Sequence, residues 1–419
     1  MSLPSTIDTV VVGAGQAGLT MSWYLAAGGR DHVVLDRRAR AGGGWQDRWD
    51  AFRLVTPNWS AAFPGDPYDG TDPDGFMPRD EVVARVAGFA ERSGAPLALG
   101  TEVRRLAPHD GGWTVETNDG PMRATNVVVA TGGFHRPMVP PVAAELPARL
   151  TQVHSHAYRN ESDLPPGAVL VVGSGQSGVQ IAEELADAGR SVYLSVGSAG
   201  RVPRRYRGRD IFRWLHAIVT QGPGHGVTMP TVDTLPDRRM RLAGNPHLSG
   251  HGGGHDTDLR AFAASGRMTL LGRITGVTGE RLDLSDDLPA KLAFADAFFG
   301  ERFQPLIEAL IGAAGIDAPP DDRQPVHHDP PVPRTLDLAG AGISSVLWTT
   351  GYRRDYGWID APVTDELGFP RQVRGVGEIP GLFFIGSLWQ HSQASATLFG
   401  VGGDARELAR RMGISPPGS

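Results

Sequence analysis

One octapeptide occurs twice. Val11-Val12-Gly13-Ala14-Gly15-Gln16-Ala17-Gly18 returns 160 residues later as Val171-Val172-Gly173-Ser174-Gly175-Gln176-Ser177-Gly178. The likeness continues through Leu25, Ala26, Gly29 and Arg30, which correspond to Leu185, Ala186, Gly189 and Arg190. Two whole strand-turn-helix units are therefore alike, and the chain is built on a duplicated domain type. Each unit opens with a β-branched run, Ile7 to Val12 or Ala168 to Val172, that reads as a parallel strand covered on both faces. In such a loop the first glycine makes the turn, the second lets backbone approach a pyrophosphate, and the third lets the helix pack on its strand. The helix N-terminus then presents free N–H groups and a partial positive charge to phosphates. Gln16 and Gln176 occupy matching places in the two loops.

The second strands assign different ligands to the two copies. The run Arg30 to Asp36 ends in an acid 23 residues beyond Gly13, where a carboxylate accepts hydrogen bonds from an adenosine ribose, as FAD requires. The run Ser191 to Gly197 has no acid, and Arg201, Arg204 and Arg205 follow it. Guanidinium groups there suit the 2′-phosphate of NADPH.

Between the units, Asp80 is placed to cap a helix over Glu81 to Ser93. Alternating stretches at Thr101 to Leu106, Trp113 to Thr117 and Met122 to Ala124 predict a small β-meander inside the first domain. Strands Asn126 to Ala130 and Ser345 to Thr349 each run into Thr-Gly, at Thr131-Gly132 and Thr350-Gly351, and these exits read as crossings between two lobes. The last strand, Leu382 to Ile385, ends at Gly386, and Gly400 to Asp404 opens a closing helix that runs to Met412. Its N-terminus could face a flavin edge or phosphate. His391, on the loop leaving that strand, is a candidate for contact with flavin or substrate, because ligands gather at the carboxyl ends of parallel strands. The apolar run Phe212 to Val219 reads as a helix.

Composition narrows the chemistry. The chain has no cysteine, which removes dithiol redox chemistry, thiol nucleophiles and cysteine-held metals. Lysine occurs once, at Lys291, so phosphates must be met by arginine or backbone amides. A net charge of −6 argues against nucleic-acid partners, and no stretch reaches the roughly 18 apolar residues that span a bilayer. A cytoplasmic location is expected, and a homodimer is compatible with the sequence. His251-Gly252-Gly253-Gly254-His255-Asp256 is a glycine loop that places no third ligand, and His327-His328-Asp329 is a proline-flanked linker, so no metal is expected.

In this order, the two loops, the two Thr-Gly exits, Gly386 and Gly403-Asp404 make the chain resemble flavoproteins with two dinucleotide-binding domains, and more narrowly the class B flavin monooxygenases. Gly42-Gly43-Gly44-Trp45 matches a Gly-Gly-x-Trp segment that wraps the flavin in that family, and Arg53-Leu54-Val55-Thr56-Pro57 fits as well. Arg204 to Asp210 and Asn245 to Gly250 resemble a bacterial branch often labelled as potassium-transport flavoproteins, a label no residue here supports. His154-Ser155-His156-Ala157-Tyr158 is similar to the second half of the family fingerprint between the lobes. Ala148 and Leu150 replace the Phe and Gly of its first half. Tyr158 stands where Baeyer–Villiger members carry Trp.

The resemblance implies an α/β fold of two Rossmann-like lobes in a glutathione-reductase-like arrangement. The FAD lobe would comprise 1–132 and 352–419, and the NADPH lobe 133–351, with a substrate-shaping insertion around 206–340. It implies that NADPH reduces the flavin, O2 adds at flavin C(4a), and one oxygen atom passes to a small substrate through N-, S- or carbonyl-directed attack. His154, Tyr158 and His391 would position the reactants. Cofactor contacts are expected at Gly13, Gly15, Gln16, Gly18, Asp36, Gly44, Trp45, Arg53, Thr131, Gly386, Gly403 and Asp404 for FAD. For NADPH they are expected at Gly173, Gly175, Gln176, Gly178, Arg201, Arg204 and Arg205. Two rivals remain open: an NAD(P)H:acceptor reductase without oxygen insertion, and a regulatory protein that binds both cofactors without turnover.

Overall fold

A computed structural model describes residues 3–415; the outer limits expected for the first lobe, Met1 and Ser419, lie outside the described residues. Each glycine unit opens its own sheet. In the first, Thr6–Val12 lies between His32–Asp36 and Gly120–Val129, all parallel, flanked by Leu97–Leu99 on one side and Leu382–Phe384 on the other. In the second, Ala168–Val172 lies between Val192–Ser195 and Ile343–Trp348, with Thr269–Leu271 and Thr151–His154 at the edges, all parallel. The central strands of both are buried along their whole apolar runs, as expected for a sheet covered on both faces.

Several boundaries differ from the sequence reading, for physical reasons. The helix Arg79–Arg92 begins after Pro78, and Asp80 sits in its first turn beside Glu81, where both acids face the positive end of the helix. The stretches Met122 to Ala124 and Asn126 to Ala130 form one strand, Gly120–Val129. Its first half pairs antiparallel with Gly112–Thr117 and its second half pairs parallel with Thr6–Val12. No turn residue separates the halves, so one strand serves both the meander and the main sheet. The apolar run after Arg209 forms the helix Ile211–Thr220, capped by Asp210, with Trp214 fully buried. The region 206–340 also carries the helices Leu288–Arg302 and Gln304–Ala314 and a three-stranded antiparallel sheet, Ile274–Thr278, Arg281–Leu284 and Thr335–Asp337.

The two Thr-Gly exits lie side by side. Residues Arg136–Pro137 and Tyr352–Arg353, just beyond them, pair antiparallel, and Met138 N–H donates to Gly351 O at 2.9 Å. A second seam is made by side chains. The Arg204 guanidinium, 4 % exposed, donates to Val55 O (2.9 Å) and Ser249 O (2.7 Å), pairs with Asp210 (3.1 Å) and lies 4.5 Å from the Phe76 ring centre. Gly250 passes so close to Leu54 O that a Cβ would overlap it. Nearby, Asp50 N–H donates to Arg159 O (2.7 Å) and Gln180 Nε2 donates to Arg53 O (3.4 Å).

Tyr158, fully buried, donates its hydroxyl to Glu184 Oε1 at 3.1 Å. Burial pushes the Glu184 carboxyl up to about 7. A carboxyl raised on folding contributes its full stability below its ordinary range and loses it as pH rises through about 7. Glu184→Gln should therefore flatten the decline in melting temperature between mildly acidic and mildly alkaline pH. Superimposable pH profiles for variant and parent would contradict this placement.

Candidate dinucleotide sites

The glycines of the first loop are not equivalent. Gly13 holds φ +116°, and a Cβ there would come within 2.6 Å of Ala130 O; a Cβ at Gly18 would fall on Gly13 O. These two are fixed by the chain's own packing. Around Gly15 the nearest atom to a Cβ is Gly43 Cα at 3.5 Å. The second loop repeats the pattern: Gly173 meets Thr349 O at 2.9 Å, Gly178 overlaps Gly173 O, and Gly175 meets nothing within 4 Å. The middle glycine alone is unexplained by the fold. Each lies at the N-cap of a helix, Gln16–Ala27 or Gln176–Asp187, whose cap is met by no side chain. Such an uncapped, electropositive backbone surface suits a pyrophosphate.

The two loops are tied to their second strands in opposite senses. Asp36, buried, accepts Ala14 N–H on Oδ2 (2.7 Å) and Arg38 N–H on Oδ1 (2.8 Å), which leaves carboxylate lone pairs for a ribose. In the second loop Ser174 Oγ accepts from Gly197 N–H at 2.9 Å, so that strand end carries no acid.

Gln16 assembles the first site: its Nε2 donates to Ala396 O (3.1 Å) and its Oε1 accepts from Trp45 Nε1 (2.9 Å). The turn Gly43–Asp47, which carries Gly44 and Trp45, and the turn Gln393–Ala396 thereby meet the glycine loop. Gly386 abuts the same helix, since a Cβ would lie 2.5 Å from Ala17 Cβ. A Cβ at Gly403, in the first turn of Val401–Arg411, meets nothing. The Thr131 hydroxyl and Asp404 Oδ2 are buried without a partner, and burial raises the Asp404 pKa. The exposed Arg53 donates from Nη1 to Phe76 O at 3.0 Å. A cavity of about 460 Å3, within the size range of small-molecule sites, opens beyond Asp36 and is lined by Arg37, Arg38, Asp47, Gly100, Arg104 and His156. The sequence reading missed these residues, although the Arg37-Arg38 pair directly follows the acid.

At the second loop both ends of the Gln176 amide are taken by Leu248, with Nε2 donating to its carbonyl and Oε1 accepting its N–H. His247 is 1 % exposed and bonds through Nε2 to Ser174 O. Burial pulls its pKa down to about 4, so the ring is neutral near pH 7; Nε2–H donates and Nδ1 is left without a partner. Segment 245–250 therefore leans on the loop. The three arginines separate. Arg201 is held by Asp258 (2.8 Å) and Asp296 (2.9 Å), Arg204 is spent in the seam described above, and Arg205 is exposed. Arg204 is thus buried with both Nη atoms engaged between the lobes rather than presented to a phosphate, contrary to the expectation from sequence.

The three positioning candidates contact different elements. His154, half-buried, bonds to Gly351 O (3.1 Å) and packs edge-on to Tyr352, and burial lowers its pKa. Tyr158 is committed to Glu184 rather than to either glycine loop. His391 leaves Nδ1 unpartnered, and its charged neighbours are Arg374, Asp233 and Glu407. Among the described residues, no helix is long and apolar enough to cross a membrane.

The pattern of the pyridine nucleotide-disulphide oxidoreductase family matches residues 10–221, which include both glycine loops. The chain belongs to this family. It is an oxidoreductase, although without cysteine it cannot use the dithiol chemistry in the family's name. It is 30 % identical to an uncharacterized CzcO-like oxidoreductase of Geobacillus kaustophilus over 96 % of this chain and 97 % of that one. Its fold is similar to a flavin-containing monooxygenase from Stenotrophomonas maltophilia, with TM-score 0.67 and 20 % identity over 98 % of this chain and 99 % of that one. It is also similar to an ornithine N-hydroxylase of Kutzneria sp. 744 whose structure contains reduced FAD, NADP+ and L-ornithine, with TM-score 0.61 and 14 % identity over 97 % of this chain and 99 % of that one.

The unequal glycines give a paired test. Gly15→Val should fold with a near-parental melting temperature and lose its bound flavin, because only ligand space is filled. Gly18→Ala should lower the melting temperature, because its Cβ overlaps backbone. Full flavin retention by Gly15→Val, read from visible absorbance per chain, would contradict the assignment of the first loop.

Proposed function

We propose that this oxidoreductase is an NADPH- and O2-dependent FAD monooxygenase acting on a small organic molecule. The reading is carried by two glycine loops, each with a middle glycine that the fold leaves open, in a chain that lacks the cysteines a disulfide reductase needs. The likeness to the Stenotrophomonas and Kutzneria enzymes supports it. In this reading 1–132 and 352–419 form the FAD lobe and 133–351 the NADPH lobe.

Gly15 and the start of its helix receive the FAD pyrophosphate, Asp36 the adenosine ribose, and the cavity beside Arg37 and Arg104 the rest of the adenosine. Gln16, Trp45, Thr131, Gly386 and Gly403 border the remainder of the cofactor, and Thr131 and Asp404 hold the polar atoms it can satisfy. Gly175 and its helix receive the NADPH pyrophosphate, with the loop braced from behind by His247 and Gln176. When bound, FAD would supply hydride acceptance from NADPH and the two-electron reduction of O2 that puts one oxygen atom on the substrate and releases the other as water. The chain's own tasks are to orient the two nucleotides and keep bulk water from the reduced flavin. His154 serves orientation indirectly, by holding the crossing ribbon at Gly351.

Aerobic NADPH oxidation with hydrogen peroxide quantified tests this. Amines, sulfides, ketones and 2-oxo acids form the substrate panel. The expected outcome is NADPH consumption that one class accelerates while the yield of peroxide per NADPH falls. Stoichiometric peroxide with every class would favour a reductase without oxygen insertion, and no NADPH consumption at all would favour a regulatory protein.

A further inference from the structure

The single lysine of the chain sits where the two glycine units differ most. Lys291 lies on the helix Leu288–Arg302, inside the insertion, and its Nζ donates to Val196 O at 2.6 Å and pairs with Asp287 Oδ2 at 2.9 Å. Val196 directly follows the strand Val192–Ser195 and stands 160 residues beyond Asp36, the spacing of the sequence repeat. The position that carries the ribose-binding acid in the first lobe is therefore met in the second by an ammonium group.

An ammonium has three N–H donors, and Val196 and Asp287 account for two. The side chain is 13 % exposed, and its third N–H has no partner among the described residues. Gly197 and the exposed Ser198 follow Val196 and put no bulky side chain or acid in the way. Asp287 is the acid that faces the ammonium. It also accepts Arg273 N–H (3.1 Å), and Arg273 is itself exposed beside the edge strand Thr269–Leu271. Of the arginines that follow the strand, Arg201 is matched by two carboxylates and Arg204 is buried in the seam, which leaves the exposed Arg205 as the rival to Lys291.

The geometry points to Lys291 as the residue that recognises the 2′-phosphate of NADPH. This rests on the reading of the second lobe as the NADPH site. A compact point charge on a flexible stem suits a phosphate monoester that arrives and leaves in each catalytic cycle.

The test is calorimetric titration of the flavin-loaded protein with adenosine 2′,5′-bisphosphate and with 5′-AMP, which differ only in the 2′-phosphate. The parent should prefer the bisphosphate by about tenfold or more, and Lys291→Gln should lose about tenfold to hundredfold of bisphosphate affinity with 5′-AMP unchanged. Asp287→Asn, which frees the ammonium of its acid, should move the bisphosphate affinity upward, and it answers the question even where Lys291→Gln folds poorly. Parental preference retained in Lys291→Gln but lost in Arg205→Gln would overturn the inference and leave the NADPH reading intact. A fall in bisphosphate affinity in Asp287→Asn would also overturn it. A parent that binds neither probe would remove the nucleotide site itself, and with it the reading on which this inference rests.

Discussion

Both ligand sites depend on a contact between backbone atoms. In each lobe the third glycine of the loop lies against the carbonyl of the first, and the first lies against the exit of a neighbouring strand, Ala130 or Thr349. No side chain fits in either place. With these two points fixed, the helix must start where it does, its unpaired N–H groups must face the carboxyl ends of the strands, and the middle glycine must be left bare. An anion is the natural occupant of such a surface, because uncapped amides and the helix dipole act in the same direction. Duplication gives the chain two such surfaces, and the second strands make them unequal: a carboxylate closes the first loop and a hydroxyl closes the second.

How the surfaces face each other is set by the seam. Arg204 binds carbonyls of Val55 and Ser249, and Ser249 belongs to the same segment whose His247 and Leu248 lean on the second loop. The first lobe is therefore linked to the second loop through fewer than ten residues of chain. A buried guanidinium whose Nη1 and Nη2 bind Asp210, Val55 O and Ser249 O holds that link. Tyr158 and Glu184 make a further buried contact from the interlobe segment to the helix behind the second loop.

What could be read from sequence follows from how local each constraint is. The glycine loops, the parallel strands and Asp36 are legible because backbone collisions dictate residue type within a few positions. The roles of the arginines are not. Arg204 is claimed by Val55, 149 residues away, and by Ser249, 45 residues away, so its place after a strand end suggested a phosphate that its packing excludes. Lys291 escaped for the same reason, since 95 residues separate it from Val196. Tyr158 matched a family fingerprint by position, but its hydroxyl points into the protein, toward an acid that only folding brings near. In sequence Gly120–Val129 reads as two strands because alternation and a continuous apolar run look like different elements, although one strand can pair differently along its length.

The central claim is that the first loop holds a flavin and the second holds the nucleotide that reduces it. Anaerobic titration of the purified protein with NADPH, followed through the visible flavin band, tests this most directly. One equivalent should bleach one bound flavin, and Gly175→Val should keep the flavin but fail to bleach. Bleaching by Gly175→Val as efficient as that of the parent, or a bound flavin that NADPH does not reduce, would contradict the account.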